Sequence, residues 1–316
     1  MRVLVTGASG LIGSALSAAL RSRGDAVVRL ARGRDDDRGS DSAGGAGAVR
    51  RWDPASGSID PSIFDGIDAV VHLAGEPIAA GRWTQSRRTA LRTSRVEGTT
   101  ALAEGIARLG AESRPKVLLS ASAVGWYGDR GDEVLAESSA PGGDFLATLC
   151  RAWEAATLPA REAGVRVAII RTGLVLSTEG GALAPMLRVG RLGLLGPVGS
   201  GEQWMSWIHI DDEVALMLRL LEDATLEGPF NATAPNPVRN RAFVTELGHA
   251  LRRPAILPMP AFAVRLLFGA MGDALLLSGQ RVEPRRALDA GFAFRYATLP
   301  AALAALLRRG RDRSKD

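Results

Sequence analysis

Three glycines near the N-terminus have a spacing that suits contact with a phosphate chain. Gly7, Gly10 and Gly13 follow an apolar run at 2–6 and precede apolar residues at helical spacing from 11 to 20. Glycine here permits a tight turn, a close approach of the backbone to a pyrophosphate and close packing of the helix on the sheet, while the helix N-terminus supplies free N–H groups. A strand–helix turn without a ligand is the alternative. The pattern predicts a dinucleotide cradle made of Gly7, Ser9, Gly10, Leu11, Ile12 and Gly13.

The end of the second predicted strand distinguishes between two dinucleotides. An acidic side chain there binds a ribose 2′-hydroxyl, whereas an arginine accommodates a 2′-phosphate. The strand at 26–31 runs into Arg32, Gly33 and Arg34, and acidic residues begin only at Asp35. We therefore predict NADP(H), with Arg32 as the partner of the 2′-phosphate and Arg34 as the second candidate. Two surface arginines in an arginine-rich chain are the alternative.

Buried strands and helices must position these residues. Near-continuous apolar runs at 68–75, 116–120 and 165–170 are typical of strands covered on both faces, as in a parallel sheet between layers of helices. A long helix is predicted across 88–109, and a loop without periodicity across 35–48. The predicted fold class is α/β, with a Rossmann-type, doubly wound parallel sheet.

The character of the chain changes after about residue 240. Pro254, Pro258 and Pro260 interrupt it, and an Ala- and Leu-rich stretch follows at 262–277. We predict two domains: a dinucleotide-binding domain at 1–240 and a small, mostly helical C-terminal lobe at 241–316.

Composition narrows the class of protein. The net charge of +5 comes from scattered arginines, since lysine occurs only at Lys116 and Lys315, and we therefore expect no nucleic-acid partner. No apolar run approaches the roughly 18–20 residues of a membrane helix, and a strand begins at Arg2, so we expect a cytoplasmic protein without a membrane partner. The lone Cys150 permits no internal disulfide, and no metal site is predicted.

Several motifs together resemble one known group. Two of them, HLAG at 72–75 and SRVEGT at 94–99, are similar to the extended short-chain dehydrogenase/reductases, which include nucleotide-sugar epimerases. The motifs WDP at 52–54, SAVGWYGD at 122–129 and SWIHIDD at 206–212 narrow the resemblance to atypical "epimerase family" proteins that carry a small conserved C-terminal domain. By that resemblance, further residues line the cofactor beyond the pyrophosphate: Leu73, Ala74, Gly75, Ser94, Arg95, Thr172 and Gly173.

The pair that moves the proton in ordinary relatives is missing. There, a Tyr-x-x-x-Lys pair handles the proton, because the lysine lowers the pKa of the tyrosine. In this chain tyrosine occurs only at Tyr127 and Tyr296, and neither has a lysine four residues later. By the resemblance, Phe145 and Leu149 stand in the places of the pair, and neither can carry a proton.

Two residues remain as candidate catalytic groups. Ser122 follows the strand end where relatives place a catalytic Ser or Thr, and Tyr127 supplies a phenol in the glycine-rich loop that follows. Packing against the pocket wall is the alternative for Tyr127. Glu76 and Arg82 lie after the strand that ends at Gly75, where a structural ion pair is the alternative for Glu76.

Two functions from different classes remain open. One is an NADP(H)-dependent oxidoreductase or epimerase-like enzyme with a non-standard proton relay, acting on a small, polar or sugar-like substrate. The other is a non-catalytic NADP(H)-binding sensor or regulatory protein. Either is expected to be a monomer or a homodimer. Retention of Ser122 favours the enzyme, and loss of the Tyr-x-x-x-Lys pair favours the sensor.

Overall fold

A computed structural model of the chain describes residues 1–33, 48–53 and 57–312, without the side chains of Arg32 and of 309–312. The strands in this part of the chain are β1 (Arg2–Thr6), β2 (Ala26–Arg32), β3 (Val49–Trp52), β4 (Ala69–His72), β5 (Val117–Ala123), β6 (Val134–Leu135), β7 (Arg166–Thr172), β8 (Leu174–Leu176), β9 (Trp204–Met205), β10 (Trp207–His209), β11 (Gly228–Ala232), β12 (Val238–Arg239) and β13 (Arg281–Val282).

The described residues also form eleven α-helices. They are α1 (Leu11–Ser22), α2 (Gln85–Ala107), α3 (Phe145–Ala155), α4 (Leu158–Glu162), α5 (Leu183–Arg191), α6 (Ile210–Glu222), α7 (Asn240–Leu251), α8 (Ala261–Phe268), α9 (Ala270–Gly272), α10 (Arg285–Asp289) and α11 (Leu299–Asp312). Within the described ranges, none of these helices has the length and apolar character needed to cross a membrane.

The central sheet is parallel and has seven strands in the order β11-β7-β5-β4-β1-β2-β3. From β1 the chain first adds β2 and β3 on one side, then returns to add β4, β5, β7 and β11 on the other. The direction of winding therefore reverses between β1 and β4. In open α/β sheets the ligand crevice lies outside the carboxyl ends of the strands at such a reversal.

Helices cover both faces of this sheet. Val3 and Val5 of β1 belong to one buried cluster with residues of α1, α6 and α11, whereas Leu4 and Val70 belong to a second cluster with residues of α2. Because successive side chains of a strand point to opposite faces, a strand buried on both sides needs apolar residues throughout. The predicted doubly wound parallel sheet is thus confirmed.

The C-terminal region is helical, as expected, and packs against the sheet domain. Leu299 and Leu303 of α11 lie in the same buried cluster as Val3 and Ile170 of the sheet, and β13 pairs with β6. The boundary between 240 and 241 falls at the start of α7. A division into two domains there stays a prediction.

Candidate functional site

The glycine-rich turn brings the ends of β1 and β4 into contact. Gly7 has a φ of +65°, and a Cβ added to it would lie 2.8 Å from the carbonyl carbon and oxygen of Leu73. A Cβ on Gly13 would overlap the carbonyl oxygen of Gly7 and approach Ala8 to 2.9 Å. Both positions therefore require glycine, the first for conformation and closeness to β4, the second for the packing of α1 on the turn.

Gly10 is less crowded than these two glycines. It is exposed, and an added Cβ would approach only the Gly7 oxygen, at 3.3 Å. Gly10 also caps α1 with no side-chain hydrogen bond to the first turn. The first N–H groups of a helix lack partners within the helix, and the helix dipole is positive there. This turn therefore fits a dinucleotide pyrophosphate.

A single hydroxyl group holds the two strand ends together beneath the turn. Thr6 Oγ1 accepts hydrogen bonds from the N–H groups of Leu73 and Ala74 at 3.0 and 3.1 Å, and lies 2.8 Å from His72 Nδ1. With two bonds accepted, the hydroxyl proton is left to donate to Nδ1, which places the ring proton of His72 on Nε2. Burial lowers the pKa of His72 to about 4, so the ring is neutral. His72 is thus a core residue that fixes the position of Leu73.

The loop after β4 is fastened to α2. Ser94 Oγ accepts the N–H of Glu76 at 3.1 Å, and Arg95 Nη2 donates to the carbonyl oxygen of Glu76 at 3.0 Å. Arg87 pairs with the carboxylate of Glu76 at 3.3 Å. The side chain of Arg95 also lies beside Gly75, where an added Cβ would be 3.3 Å from the guanidinium carbon. Ser94 and Arg95 therefore shape the segment predicted to line the cofactor. Glu76 forms a structural ion pair, which was the alternative to a catalytic role for it.

The end of β5 carries a buried, charged hydrogen-bond chain. Ser122 Oγ donates to Glu154 Oε1 at 2.7 Å. Arg171 holds both carboxylate oxygens of Glu154, through Nε at 2.8 Å and Nη2 at 2.9 Å. The side chain of Glu154 is only 8% exposed, and that of Arg171 only 3%. A bidentate, charge-assisted pair of this kind fixes the Glu154 carboxylate as the acceptor of the Ser122 proton.

Tyr127 lies at the far end of the same chain. Its side chain is fully buried, its hydroxyl donates to Asn231 Oδ1 at 2.7 Å, and it accepts from Arg171 Nη1 at 3.1 Å. Burial, opposed by Arg171, raises the pKa of Tyr127 to about 12. Both hydrogen-bonding roles of the enclosed phenol are thus used within the protein. The geometry favours a positioning role over the direct proton transfer expected from the sequence.

Thr172 and Gly173 follow Ser122 along this edge of the sheet. Ser122 is the register partner of Arg171, and Ala123 that of Thr172. A Cβ on Gly173 would overlap the carbonyl oxygen of Ser206. Thr172 Oγ1 donates to Glu213 Oε1 at 2.8 Å, and burial raises the pKa of Glu213 to about 8. A carboxyl group thus lies buried behind the strand end, in a position that sequence reasoning did not single out.

Comparison with known proteins places this arrangement in a family. Residues 3–232 match the model of the NAD dependent epimerase/dehydratase family, and residues 259–306 match a domain of unknown function, DUF1731. The chain belongs to the NAD dependent epimerase/dehydratase family. It is 42% identical to an epimerase family protein of Mycobacterium bovis, over 95% of this chain and 96% of that protein. It is 38% identical to the human epimerase family protein SDR39U1, over 96% and 98%.

Solved structures agree with the family assignment. A crystal structure of human SDR39U1 with NADPH superposes with a TM-score of 0.84 at 35% identity, covering 97% of this chain and 99% of that one. The fold is also that of MoeE5 in complex with UDP-glucose and NAD, at a TM-score of 0.78 and 22% identity over both whole chains.

In this chain the predicted positions of the missing proton-transfer pair are filled by apolar packing. Phe145 meets the ring of Trp83 edge-on at 5.2 Å, and Leu149 is buried in the same cluster. Cys150, next along α3, is buried as expected, and burial raises its pKa to about 12. The structure thus provides no acid or base at positions 145 and 149.

The outcome for the predicted site residues differs between groups. The structure brings Gly7, Gly13, Leu73 and Ala74 into contact and places Ser122 beside Thr172 on adjacent strands. The side chain of Arg32 and the whole of Arg34 lie outside the described residues. Sequence reasoning did not assign a role to the chain of polar groups behind Ser122, which consists of Glu154, Arg171, Glu137 and Asn231. Glu154 is the one acidic residue of helix α3, and this was the available signal for it.

Proposed function

We propose that this protein is an NADP(H)-dependent oxidoreductase or epimerase-like enzyme in which Ser122 handles the proton. Three observations support NADP(H) as the cofactor. The turn at Gly10 fits a pyrophosphate, β2 ends at an arginine, and a relative at 35% identity was crystallised with NADPH. When bound, the nicotinamide would accept or donate a hydride.

The observation that carries the proposal is the direction of the hydrogen bond between Ser122 and Glu154. Because Ser122 gives its proton to a carboxylate fixed by Arg171, its oxygen offers only lone pairs on the other side. Such an oxygen accepts a hydrogen bond from a substrate hydroxyl. As hydride leaves the carbon that bears this hydroxyl, the hydroxyl proton passes to Ser122 Oγ, and the Ser122 proton passes to Glu154.

This arrangement favours an alcohol over a bare carbonyl as the group that binds beside Ser122. A carbonyl oxygen has no proton to donate, and it would require Ser122 to turn its own proton away from Glu154. We therefore propose a small, hydroxyl-bearing, sugar-like molecule as the substrate class. We still expect the protein to be cytoplasmic and to be a monomer or a homodimer.

The test measures NADP⁺ reduction by its absorbance at about 340 nm across a panel of polyols, sugars and their nucleotide derivatives. With the substrate that turns over, Ser122→Ala and Glu154→Gln should each lower kcat by about 10²–10⁴-fold, the usual contribution of proton-transfer assistance. The double variant should lose no more than the worse single variant, because the two groups serve one path.

Ser120→Ala is the matched control, since Ser120 is a buried serine two positions earlier on the same strand and its hydroxyl donates to the carbonyl oxygen of Ala121 rather than to Glu154. Its turnover should stay within about threefold of the parent. Parental turnover in both Ser122→Ala and Glu154→Gln would exclude this relay.

A non-catalytic NADP(H)-binding protein is the second candidate. It is favoured by the apolar Phe145 and Leu149 where relatives are expected to carry the tyrosine and lysine. This candidate predicts tight NADPH binding together with no absorbance change, in either direction of the reaction, for any member of the panel.

A further inference from the structure

One face of the protein carries exposed apolar side chains that have no part in the proposed site. They lie on the segment after α5, on the segment before α8 and on α8 itself: Leu192, Leu194, Ile256, Leu257, Phe262 and Leu266. Ile256 is 81% exposed, Leu192 74%, and Phe262 and Leu266 71% each. Apolar side chains exposed to this extent stand out from the surface and do not line a groove. We call this the apolar face.

The two segments form one continuous surface. The N–H of Leu257 donates to the carbonyl oxygen of Leu195, and that of Met259 donates to the oxygen of Pro197, each at 2.9 Å. Residues 192–197 therefore run beside 254–259. The chain then enters α8, where Phe262 and Leu266 are one turn apart on the same side of the helix.

Positive charge predominates around the apolar face. The stretches 183–201 and 247–272 contain no aspartate or glutamate. They contain five arginines, all of which are exposed: Arg188, Arg191, Arg252, Arg253 and Arg265. Of these, Arg265 pairs with Asp273, just beyond the second stretch. An apolar surface with a rim of arginines complements a partner that is apolar inside and negatively charged at its surface.

The backbone of the most exposed segment is also suited to an apolar environment. Pro254, Pro258 and Pro260 have no N–H group, and Leu257 and Met259 use theirs in the bonds to the neighbouring segment. Few backbone donors would therefore lose water if this segment entered the boundary between headgroups and acyl chains.

We propose that the apolar face binds the surface of an anionic phospholipid bilayer. A second copy of the chain fits less well, because a symmetric contact would bring the like charges of the arginine rim close to one another. The earlier expectation of no membrane partner rested on the lack of a spanning segment, which does not bear on attachment to a membrane surface. In this position Leu192, Ile256 and Phe262 insert among the lipids while Arg188 and Arg191 contact the phosphates.

The experiment is cosedimentation of the full chain with vesicles of phosphatidylcholine alone or with about a quarter phosphatidylglycerol. The protein should partition onto the anionic vesicles at low salt and be largely released at about 0.5 M salt, where charges are screened beyond about 4 Å. Ile256→Glu with Phe262→Glu should lower partitioning by at least about 30-fold. Arg188→Gln with Arg191→Gln should lower it by about 10- to 30-fold on anionic vesicles.

Control variants carry changes of the same kind elsewhere. Leu158→Glu alters a residue that is 48% exposed on α4, which packs on the other face of the sheet. Arg92→Gln with Arg151→Gln alters two exposed arginines on α2 and α3. Both controls should partition like the parent, and all variants should keep NADPH affinity and melting temperature, which shows that they are folded.

Three results would overturn the proposal. The first is that the parent does not bind anionic vesicles at low salt, and the second is that the control variants lose as much partitioning as the test variants. The third is that the parent binds no vesicles but is a dimer in light scattering, which Phe262→Glu converts to a monomer. The last result would assign the apolar face to a second copy of the chain.

Discussion

The cofactor cradle and the proton chain behind Ser122 are built in different ways, although they lie along the same edge of one sheet. The cradle depends on backbone: Gly7 and Gly13 are small because carbonyl groups of Leu73 and Gly7 occupy the space of a side chain. The proton chain depends on side chains from β5, α3 and β7, which meet only in the folded protein. The backbone at Gly7 and Gly13 leaves no space for an added atom, whereas a side-chain site can change its chemistry by one substitution.

The largest effect should come from the cradle, where two glycines that look alike in sequence behave differently. Gly13→Ala places a methyl group onto the Gly7 oxygen, so the turn must move; we expect loss of NADPH binding and a lower melting temperature. Gly10→Val adds a side chain at an exposed position, where the Cβ would be 3.3 Å from the Gly7 oxygen, and should abolish binding with a much smaller drop in melting temperature. Calorimetric titration and thermal unfolding measure the two properties. Unchanged affinity in Gly10→Val would remove the pyrophosphate site from this turn.

The second prediction concerns Tyr127, which separates positioning from proton transfer. Tyr127→Phe leaves the buried oxygen of Asn231 without its donor, and should cost about 1–3 kcal/mol of unfolding free energy. Turnover should fall by less than about tenfold, against 10²–10⁴-fold for Ser122→Ala. Urea unfolding and steady-state kinetics give the two numbers. A kinetic loss as large as that of Ser122→Ala at parental stability would show that the phenol takes part directly.

The third prediction uses the buried carboxyl behind Thr172. Because the pKa of Glu213 is about 8 when folded and 4.5 ordinarily, the folded state holds the proton more tightly. Its stabilising effect is complete below about pH 4.5 and is lost as the pH rises toward about 8, on the order of a few kcal/mol. The unfolding free energy of the parent minus that of Glu213→Gln should therefore fall as the pH rises over that range. Glu112→Gln, at an exposed site, should show no such trend; a flat difference for Glu213→Gln would place its carboxyl in contact with water.

The comparison with Glu213→Gln is necessary because His72 also contributes to the pH dependence of the unfolding free energy. Its pKa of about 4 lies below the ordinary 6.5, so its own contribution is present above about pH 6.5 and is lost as the pH falls toward 4. The two groups thus act in opposite directions over an overlapping range.

The last prediction concerns the nucleotide preference at the end of β2. Arg32→Ala should narrow the preference for NADPH over NADH by about 1.5–3 kcal/mol, the value of a hydrogen bond to a charged group. Dissociation constants for both nucleotides, measured in parent and variant, give the preference directly. Full retention of it by the variant would turn attention to Arg34.

The contrast also explains what could be predicted from sequence. Short-range patterns encode the turn at Gly7 to Gly13 and the apolar strands, since the residues that decide them are neighbours along the chain. Ser122 and Glu154 are 32 positions apart, and Tyr127 and Asn231 are 104 apart. No local pattern states that such pairs meet. The inventory of tyrosines and lysines excluded the ordinary proton pair, but the partner of Ser122 required the packing of α3 on β5 and β7.

The buried chain around Tyr127 continues into the C-terminal region. Asn231 donates to the carbonyl oxygen of Glu283 at 2.9 Å, and Glu137 accepts the N–H of Asn231 at 2.9 Å and that of Arg286 at 3.3 Å. Opening this region would strip partners from groups deep in the sheet domain. Amide protons of β7 and of α10 should therefore exchange with solvent at matching rates, as parts of one cooperative unit. We therefore expect a shortened chain that ends before residue 281 to lose the native arrangement beneath Ser122.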